Sequence, residues 1–351
     1  MRAAIYNPYL DTLGGGERYT MAVATALFDE GYQVDVQWKM PDIKRKLEDR
    51  FGIILDGVNF VPDVKRGDGY DVCFWVSDGS IPTLKARKNF LHFQVPFYDV
   101  NGKTLLNRMK LFRINKIICN SNFTKRFIDA EYGVKSIVIY PPVDVEKIKP
   151  KRKEKMILSV GRFSQLKQAK KQDVLIEAFK KFYDEDKYDE GNNDKGYRDW
   201  RLVLAGGMEV GVGVYIEKLK KKAEDYPVEI FQSPDFKTLK DLYGRAKIFW
   251  SAAGFRVNEE KEPDRVEHFG ITVVEAMAAG VVPLVFSAGG HKEIVIEGEN
   301  GFLWKTVGQL IKNTQKIIDD KILYRAIVKG STESSRKYGY ERFRTSIEKI
   351  L

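Results

Sequence analysis

The stretch Glu267-His-Phe-Gly-Ile-Thr-Val-Val-Glu275-Ala-Met-Ala-Ala-Gly280 joins a loop, a helix start and a helix stop in one run. Ile271 to Ala279 offers good helix formers, an apolar side with Val274, Met277 and Ala278, and Gly280 as the stop signal. Gly270 lets the backbone come close to a ligand. Amides of a first helical turn lack intrahelical partners, and the aligned peptide dipoles favour negative charge there. A phosphate beside the word Phe269-Gly270-Ile271-Thr272 is therefore physically natural.

Carboxylates next to a phosphate need another purpose. Glu267 precedes the helix and Glu275 sits about one turn inside it, so each can accept hydrogen bonds from sugar hydroxyls on opposite sides of a diphosphate. Two glutamates taken alone read more plainly as helix-dipole partners or solvated acids. The run as a whole separates these readings. It resembles the E-x7-E motif of retaining GT-B glycosyltransferases of family GT4, including the Phe-Gly-Ile-Thr and Glu-Ala-Met-Ala-Ala-Gly words inside it.

The chain has 351 residues, beyond the roughly 250–300 at which a single core stops growing, so two domains are expected. A 43% share of hydrophobic residues can fill both cores. No run approaches the ~18 uncharged apolar residues of a spanning helix, and Met1 leads into a strand-like run without a signal-peptide pattern. A cytoplasmic protein is expected. Cys73 and Cys119 lie in apolar runs and lack metal-ligand spacing, which argues against both a disulfide scaffold and a metal site. The net charge of +10 is spread along the chain among acids, which suits polyanionic or membrane-surface partners. No helix-turn-helix, zinc-finger or RRM pattern accompanies it, so nucleic acid is not an expected partner.

Working outward, residues 3–6, 33–38, 72–76, 88–93, 116–119 and 136–140 read as buried strands, with a helix over 17–30. A linker follows at Pro141-Pro-Val-Asp144 and the charged residues 147–155. The pattern then restarts with strands at 156–160, 200–204, 228–231, 248–250 and 281–286 and a helix over 173–183. Buried strands alternating with helices predict an α/β chain with doubly wound parallel sheets. Domains at 1–146 and 147–337 follow, facing a central cleft. The polar segment 184–199 predicts an exposed insertion. The family resemblance implies a GT-B arrangement of two Rossmann-like domains, acceptor first and donor second, with the terminal helix 338–351 packing back on the first.

Gly14-Gly15-Gly16-Glu17-Arg18 follows the first strand and precedes a helix, where amides can approach phosphate or sugar. Tyr19 stands where a third glycine would complete a dinucleotide fingerprint, which weakens that reading despite Asp35 downstream. The words resemble the GT4 Gly-Gly-x-x-Arg loop, which implies Gly15 and Gly16 beside the donor diphosphate and acceptor. Gly161-Arg162 follows a strand, with Lys167, Lys170 and Lys171 before Gln172-Asp173. Cations there can neutralise a departing nucleoside diphosphate. The family's Gly-Arg-x(n)-Lys-x-Gln-Asp pattern implies Arg162 and Lys170, at a spacing longer than its commonest form.

The three histidines are His92, His268 and His291. His92 ends an apolar strand and resembles the family histidine that contacts the donor sugar; alone it reads as a structural histidine. His291, in Gly289-Gly-His-Lys-Glu293, resembles the glycine-rich loop near that sugar. Asp184-Glu-Asp186 has a metal-site spelling but lies at the edge of the polar insertion, and the resemblance implies no metal. Further matching words are Asn120-Ser-Asn-Phe-Thr124, Tyr140-Pro-Pro-Val-Asp144, Ala253-Gly-Phe255 and Gly298-Glu-Asn-Gly-Phe302, so the resemblance spans nearly the whole chain.

Together these imply a retaining hexosyltransferase that takes a nucleoside diphosphate sugar, GDP-mannose before UDP-sugars, to a glycan or lipid-linked acceptor. A nucleotide-sugar epimerase and a phosphorylase are the alternatives within the fold, and a nucleic-acid-binding protein is the rival outside it. Residues 101–114 interleave Lys103, Arg108, Lys110 and Arg113 with Leu105, Leu106, Met109 and Phe112. This segment reads first as a core helix with a solvated basic face, and otherwise as one that lies on anionic lipid at the cytoplasmic face.

Overall fold

A computed structural model describes residues 1–40, 42–165, 168–185 and 196–351. The chain divides into two compact units, Met1–Pro142 with Tyr338–Leu351, and Val143–Lys337. The division falls between Pro142 and Val143, inside the Pro141-Pro-Val-Asp144 stretch, four residues before the expected boundary at 146. Each unit is built on one wholly parallel sheet among the described residues.

In the first unit the strands are β1 Arg2–Tyr6, β2 Gln33–Gln37, β3 Val58–Val61, β4 Val72–Val76, β5 Lys88–Phe93, β6 Lys116–Cys119 and β7 Ile137–Val138. They lie in the order β3-β2-β1-β4-β5-β6-β7. Helix α1 spans Gly15–Asp29, α2 Ile43–Phe51, α3 Leu105–Leu111 and α4 Asn122–Tyr132. Both faces of β5 are buried: Phe90 joins the core with Tyr19, Phe74 and Val76, while Leu91 and Phe93 pack with Ile81, Ile128 and Tyr132. Such two-sided burial is why these strands read as continuous apolar runs.

In the second unit β8 Met156–Val160, β9 Arg201–Gly206, β10 Val228–Gln232, β11 Ile248–Ser251, β12 Val282–Phe286 and β13 Phe302–Trp304 lie in the order β10-β9-β8-β11-β12-β13. The helices are α5 Gln172–Asp184, α6 Gly213–Ala223, α7 Phe236–Arg245, α8 Ile271–Ala278, α9 His291–Ile294, α10 Val307–Asp319 and α11 Lys321–Ser335. Both sheets therefore place their first strand between the second and fourth, the order of a doubly wound dinucleotide-type fold. Cys73 and Cys119 are buried free thiols, and burial pushes both up to about 12.

The chain returns to the first unit through α12, Tyr340–Glu348, which packs on α1. Phe343 and Ile347 enter the first core, Tyr340 donates to Asp29 (3.0 Å), and Arg344 pairs with Glu30 (3.3 Å).

Several elements differ from the sequence reading. The short β3 and β13 went unread, because few residues carry their signal. Helix α1 begins at Gly15, not Glu17. Of the expected insertion, residues 186–195 lie outside the described set, but its last part is not exposed: Tyr197 is buried against Phe182, and its hydroxyl donates to Asp319 (3.0 Å). Segment 101–114 is not a core helix, since Leu105, Leu106, Met109 and Phe112 all face solvent.

The Phe343 ring meets Tyr19 edge-on at 5.2 Å. Phe343→Ala should cost ~3–5 kcal/mol. Hydrogen exchange should show α1 opening earlier while the second unit's core exchanges as in the unmodified protein.

Candidate functional site

In the second sheet the order in which strands are added reverses between β8 and β11, and ligands of open parallel sheets bind at such a switch point, beyond the carboxyl ends of the strands. Here β8 and β11 pair only at Ile157↔Ile248 and Leu158↔Phe249. Val160 instead continues to pair with Ala205 of β9. The two backbones thus part before their ends and open a crevice. The loop after β8 carries Arg162, exposed, and Lys170, partly buried. The loop after β11 leads to Glu267 and the start of α8.

These two loops meet in an ion pair, with Lys170 Nζ 2.7 Å from Glu267 Oε2 and both side chains mostly buried. Burial is the largest single influence on the Glu267 carboxyl and would raise it. The field of Lys170, with the hydrogen bond it donates, outweighs burial and holds the carboxyl down at about 2. The Lys170 stem lies over Gly161, where an added Cβ would come within 2.7 Å of Lys170 Cγ. Gln172 fixes the loop from below, donating to the carbonyls of Gly161 (3.3 Å) and Arg162 (3.1 Å) and accepting from Tyr215 (3.2 Å). Lys171 caps α5 in a left-handed conformation, with φ 54°. Lys167 lies outside the described residues.

His291 is fully buried, and burial lowers its pKa, so the ring is held neutral. Its Nδ1 lies 2.8 Å from the Phe286 carbonyl, which can only accept; the proton sits on Nδ1 and Nε2 faces the Ser251 hydroxyl at 3.4 Å. His268 takes the Gln168 amide at 2.7 Å.

Gly270 caps α8 at φ 117°, ψ 56°, with no side-chain cap hydrogen bond. A side chain is disfavoured at that φ, and Phe269 and Gly270 are buried while Ile271 and Thr272 are partly exposed. Next to this start lies Gly289-Gly290, whose Cβ atoms would stand 2.1 Å from the Glu267 carbonyl oxygen and 2.5 Å from Phe269 Cα. Only glycine permits that approach. The Gly290 amide donates to the Glu267 carbonyl (2.7 Å). The Gly289 amide donates to Glu259 (2.6 Å), which also pairs with Lys292. Glu275, buried in α8, accepts the Tyr243 hydroxyl of α7 at 2.8 Å.

Glu259, Gln168 and Tyr243 were absent from the sequence reading. Each meets its partner across 30 or more residues of chain, and no local spacing signals such a meeting. Asp184 accepts from Tyr226 (2.6 Å), and Asp186 lies outside the described residues. Among the described residues no three His, Cys, Asp or Glu side chains gather as a ligand set.

In the first unit, Gly15 and Gly16 form the opening turn of α1. Glu17 closes that turn by accepting from the Gly14 amide (2.7 Å) and the Thr12 hydroxyl (2.8 Å). His92 is the last residue but one of β5, at the end of an apolar strand as expected, and is wholly buried, stacked on Tyr19 at 4.2 Å. Burial pushes it down to about 3, with Nδ1 3.2 Å from the Ile118 carbonyl. Two residues on, in the bend that follows β5, Gln94 reaches the glycine turn and donates to the Gly16 carbonyl (3.1 Å).

Because the folded Glu267 carboxyl titrates below its unfolded counterpart, its contribution is present in full above the ordinary carboxyl range. That contribution is lost as pH falls through about 2. The depression corresponds to about 3 kcal/mol. Urea titrations should show the stability gap between the unmodified chain and Glu267→Gln shrinking from pH 6 towards pH 2. A gap constant over that range would contradict the buried pair.

The family model of group 1 glycosyl transferases matches residues 142–334. The chain is 25% identical over 344 residues to the alpha-1,3/1,6-mannosyltransferase ALG2 of Dictyostelium discoideum, covering 81% of this chain and 76% of that one. It is 24% identical over 230 residues to the GDP-Man:Man(3)GlcNAc(2)-PP-Dol alpha-1,2-mannosyltransferase of the same organism, covering 63% of this chain and 43% of the relative. The match thus spans less than half of the second relative. In structure the chain is similar to Anabaena Alr3699/HepE, solved in complex with UDP and glucose, at a TM-score of 0.74 and 18% identity over 99% of this chain and 98% of the other. With the parallel sheets, the switch-point loops and the family match in agreement, the chain belongs to the group 1 glycosyl transferases and has their GT-B fold.

Proposed function

We propose that this enzyme transfers a hexosyl group, with retention and without a metal, from a nucleoside diphosphate sugar to a glycan or lipid-linked acceptor. The observation that carries the reading is the buried Lys170–Glu267 pair at the mouth of the β8–β11 crevice, beside an α8 start with no side-chain cap. In this scheme Arg162 and Lys170 take up charge on the departing diphosphate, and the amides of Gly270 to Thr272 add to that field. Glu267, ionised and acceptor-only, holds hydroxyls of the transferred sugar. Glu275, steadied by Tyr243, holds the ribose. Attack by the acceptor hydroxyl on the face from which the diphosphate leaves gives an oxocarbenium-like transition state, and the leaving phosphate can accept the hydroxyl proton.

GDP-mannose is the favoured donor, supported by the two mannosyltransferase relatives, while the UDP and glucose of the Anabaena neighbour keep UDP-sugars in the test.

Arg162 is exposed, so Arg162→Ala should leave the fold intact and lower kcat roughly a hundred- to thousandfold, or ~2.7–4 kcal/mol; near-full turnover would contradict its role. A thermal-shift screen against GDP, UDP, ADP and their sugar conjugates should give one selective stabilisation, about 2.7 kcal/mol at a hundred times Kd. Calorimetry should show that affinity falling in Glu275→Ala, with Tyr243→Phe separating lost positioning from lost contact. No stabilisation by any nucleotide would overturn the donor site, and donor conversion without acceptor would point to an epimerase.

A further inference from the structure

We propose that Leu105, Leu106, Met109 and Phe112 form a docking face that seats the first unit on an anionic lipid surface. These side chains are 75%, 61%, 66% and 94% exposed, although large apolar residues ordinarily seek the core. At positions i, i+1, i+4 and i+7 they share one side of α3 and its final turn. The opposite side is anchored, because Leu111 and Ile114 pack against the Leu91–Phe93–Tyr132 cluster.

The element is held in place from both ends. Thr104 caps α3 by accepting the Asn107 amide (3.3 Å). Glu131 accepts the amides of Asp99, Val100 and Gly102 (3.1, 3.2 and 3.0 Å) and so fixes the loop before it. Arg113 donates to the Leu84 carbonyl (2.9 Å) after it. Exposure here is a property of a seated helix, not of a loose end.

Charge selects the occupant. From Val100 to Ile128 the chain has no Asp or Glu and seven Lys and Arg. Arg108 and Lys110 flank the apolar stripe on either side, and neither they nor Lys103 and Lys116 form an ion pair among the described residues. A second copy of this chain placed face to face would set these like charges opposite each other, which disfavours self-association. A lipid interface takes both kinds of group at once, apolar side chains at the acyl boundary and cations among anionic headgroups. Among the described residues no helix is long and apolar enough to cross a membrane, so contact through this face would be peripheral. Lipid binding through this face needs neither nucleotide nor turnover, so it is measured separately from the donor site.

The test is co-sedimentation of the full chain with phosphatidylcholine vesicles, with and without phosphatidylglycerol. Binding is expected to the anionic vesicles, weakened about fivefold by each of Arg108→Gln and Lys110→Gln. The pair Leu105→Ser with Phe112→Ser should reduce it to the level seen on neutral vesicles, with thermal unfolding unchanged because both residues are exposed. Phe112→Trp should give a blue-shifted emission on adding anionic vesicles. Absence of binding to either vesicle, or binding indifferent to the serine pair, would overturn the proposal. So would a lipid-free dimer that the serine pair dissolves.

Discussion

Parallel pairing is the constraint from which the rest of this molecule follows. A parallel strand reaches its neighbour only through a crossover, so helices cover both sheet faces and leave the strand ends as the places where polar groups can gather. In the second unit the constraint is sharpened where β8 and β11 part after two paired residues. The loops that leave those strands carry Arg162 and Lys170 on one side and Glu267 on the other. In the first unit the corresponding strand end leads to the glycine turn of α1, which Glu17 and Gln94 hold closed.

Electrostatics then distinguishes the two ends. A carboxylate buried as deeply as Glu267 would ordinarily take up a proton, and Lys170 at 2.7 Å prevents it. The neutral His291 beside it is fixed in one tautomer by the Phe286 carbonyl. The crevice thus holds an ionised acceptor and a cation side by side, with the free amides of α8 nearby. That combination can address sugar hydroxyls and phosphate together. The glycines at 289 and 290 matter for a mechanical reason: they let their loop press against the backbone of residues 267–269, which sets where Glu267 stands.

Much of the fold was legible in local pattern. Runs such as Val-Cys-Phe-Trp-Val and Met-Ile-Leu-Ser-Val announce strands buried on both faces, and the start and stop of α8 were written in Gly270 and Gly280. The short β3 and β13 were not, because three or four residues carry too little periodicity. For His92 the place near the end of an apolar strand was legible, but the Tyr19 ring that stacks on it and closes it off comes from another element. The α3 segment misled. Its alternation of apolar and basic residues fits a core helix, and only the packing shows that its apolar anchor is Leu111 and Ile114.

The amino-acid sequence by itself determined the α/β alternation, the two parallel-sheet units, and the residues of the Glu267 to Gly280 run, since propensity, burial pattern and helix punctuation are local properties. Only the tertiary structure decided that Lys170 meets Glu267 across 97 residues and that Tyr243 meets Glu275 across 32. It also decided that His92 is core and that the apolar side of α3 is surface. Those outcomes depend on which faces the crossovers press together, and a side chain's burial and partners are set by that long-range packing rather than by its neighbours in the chain.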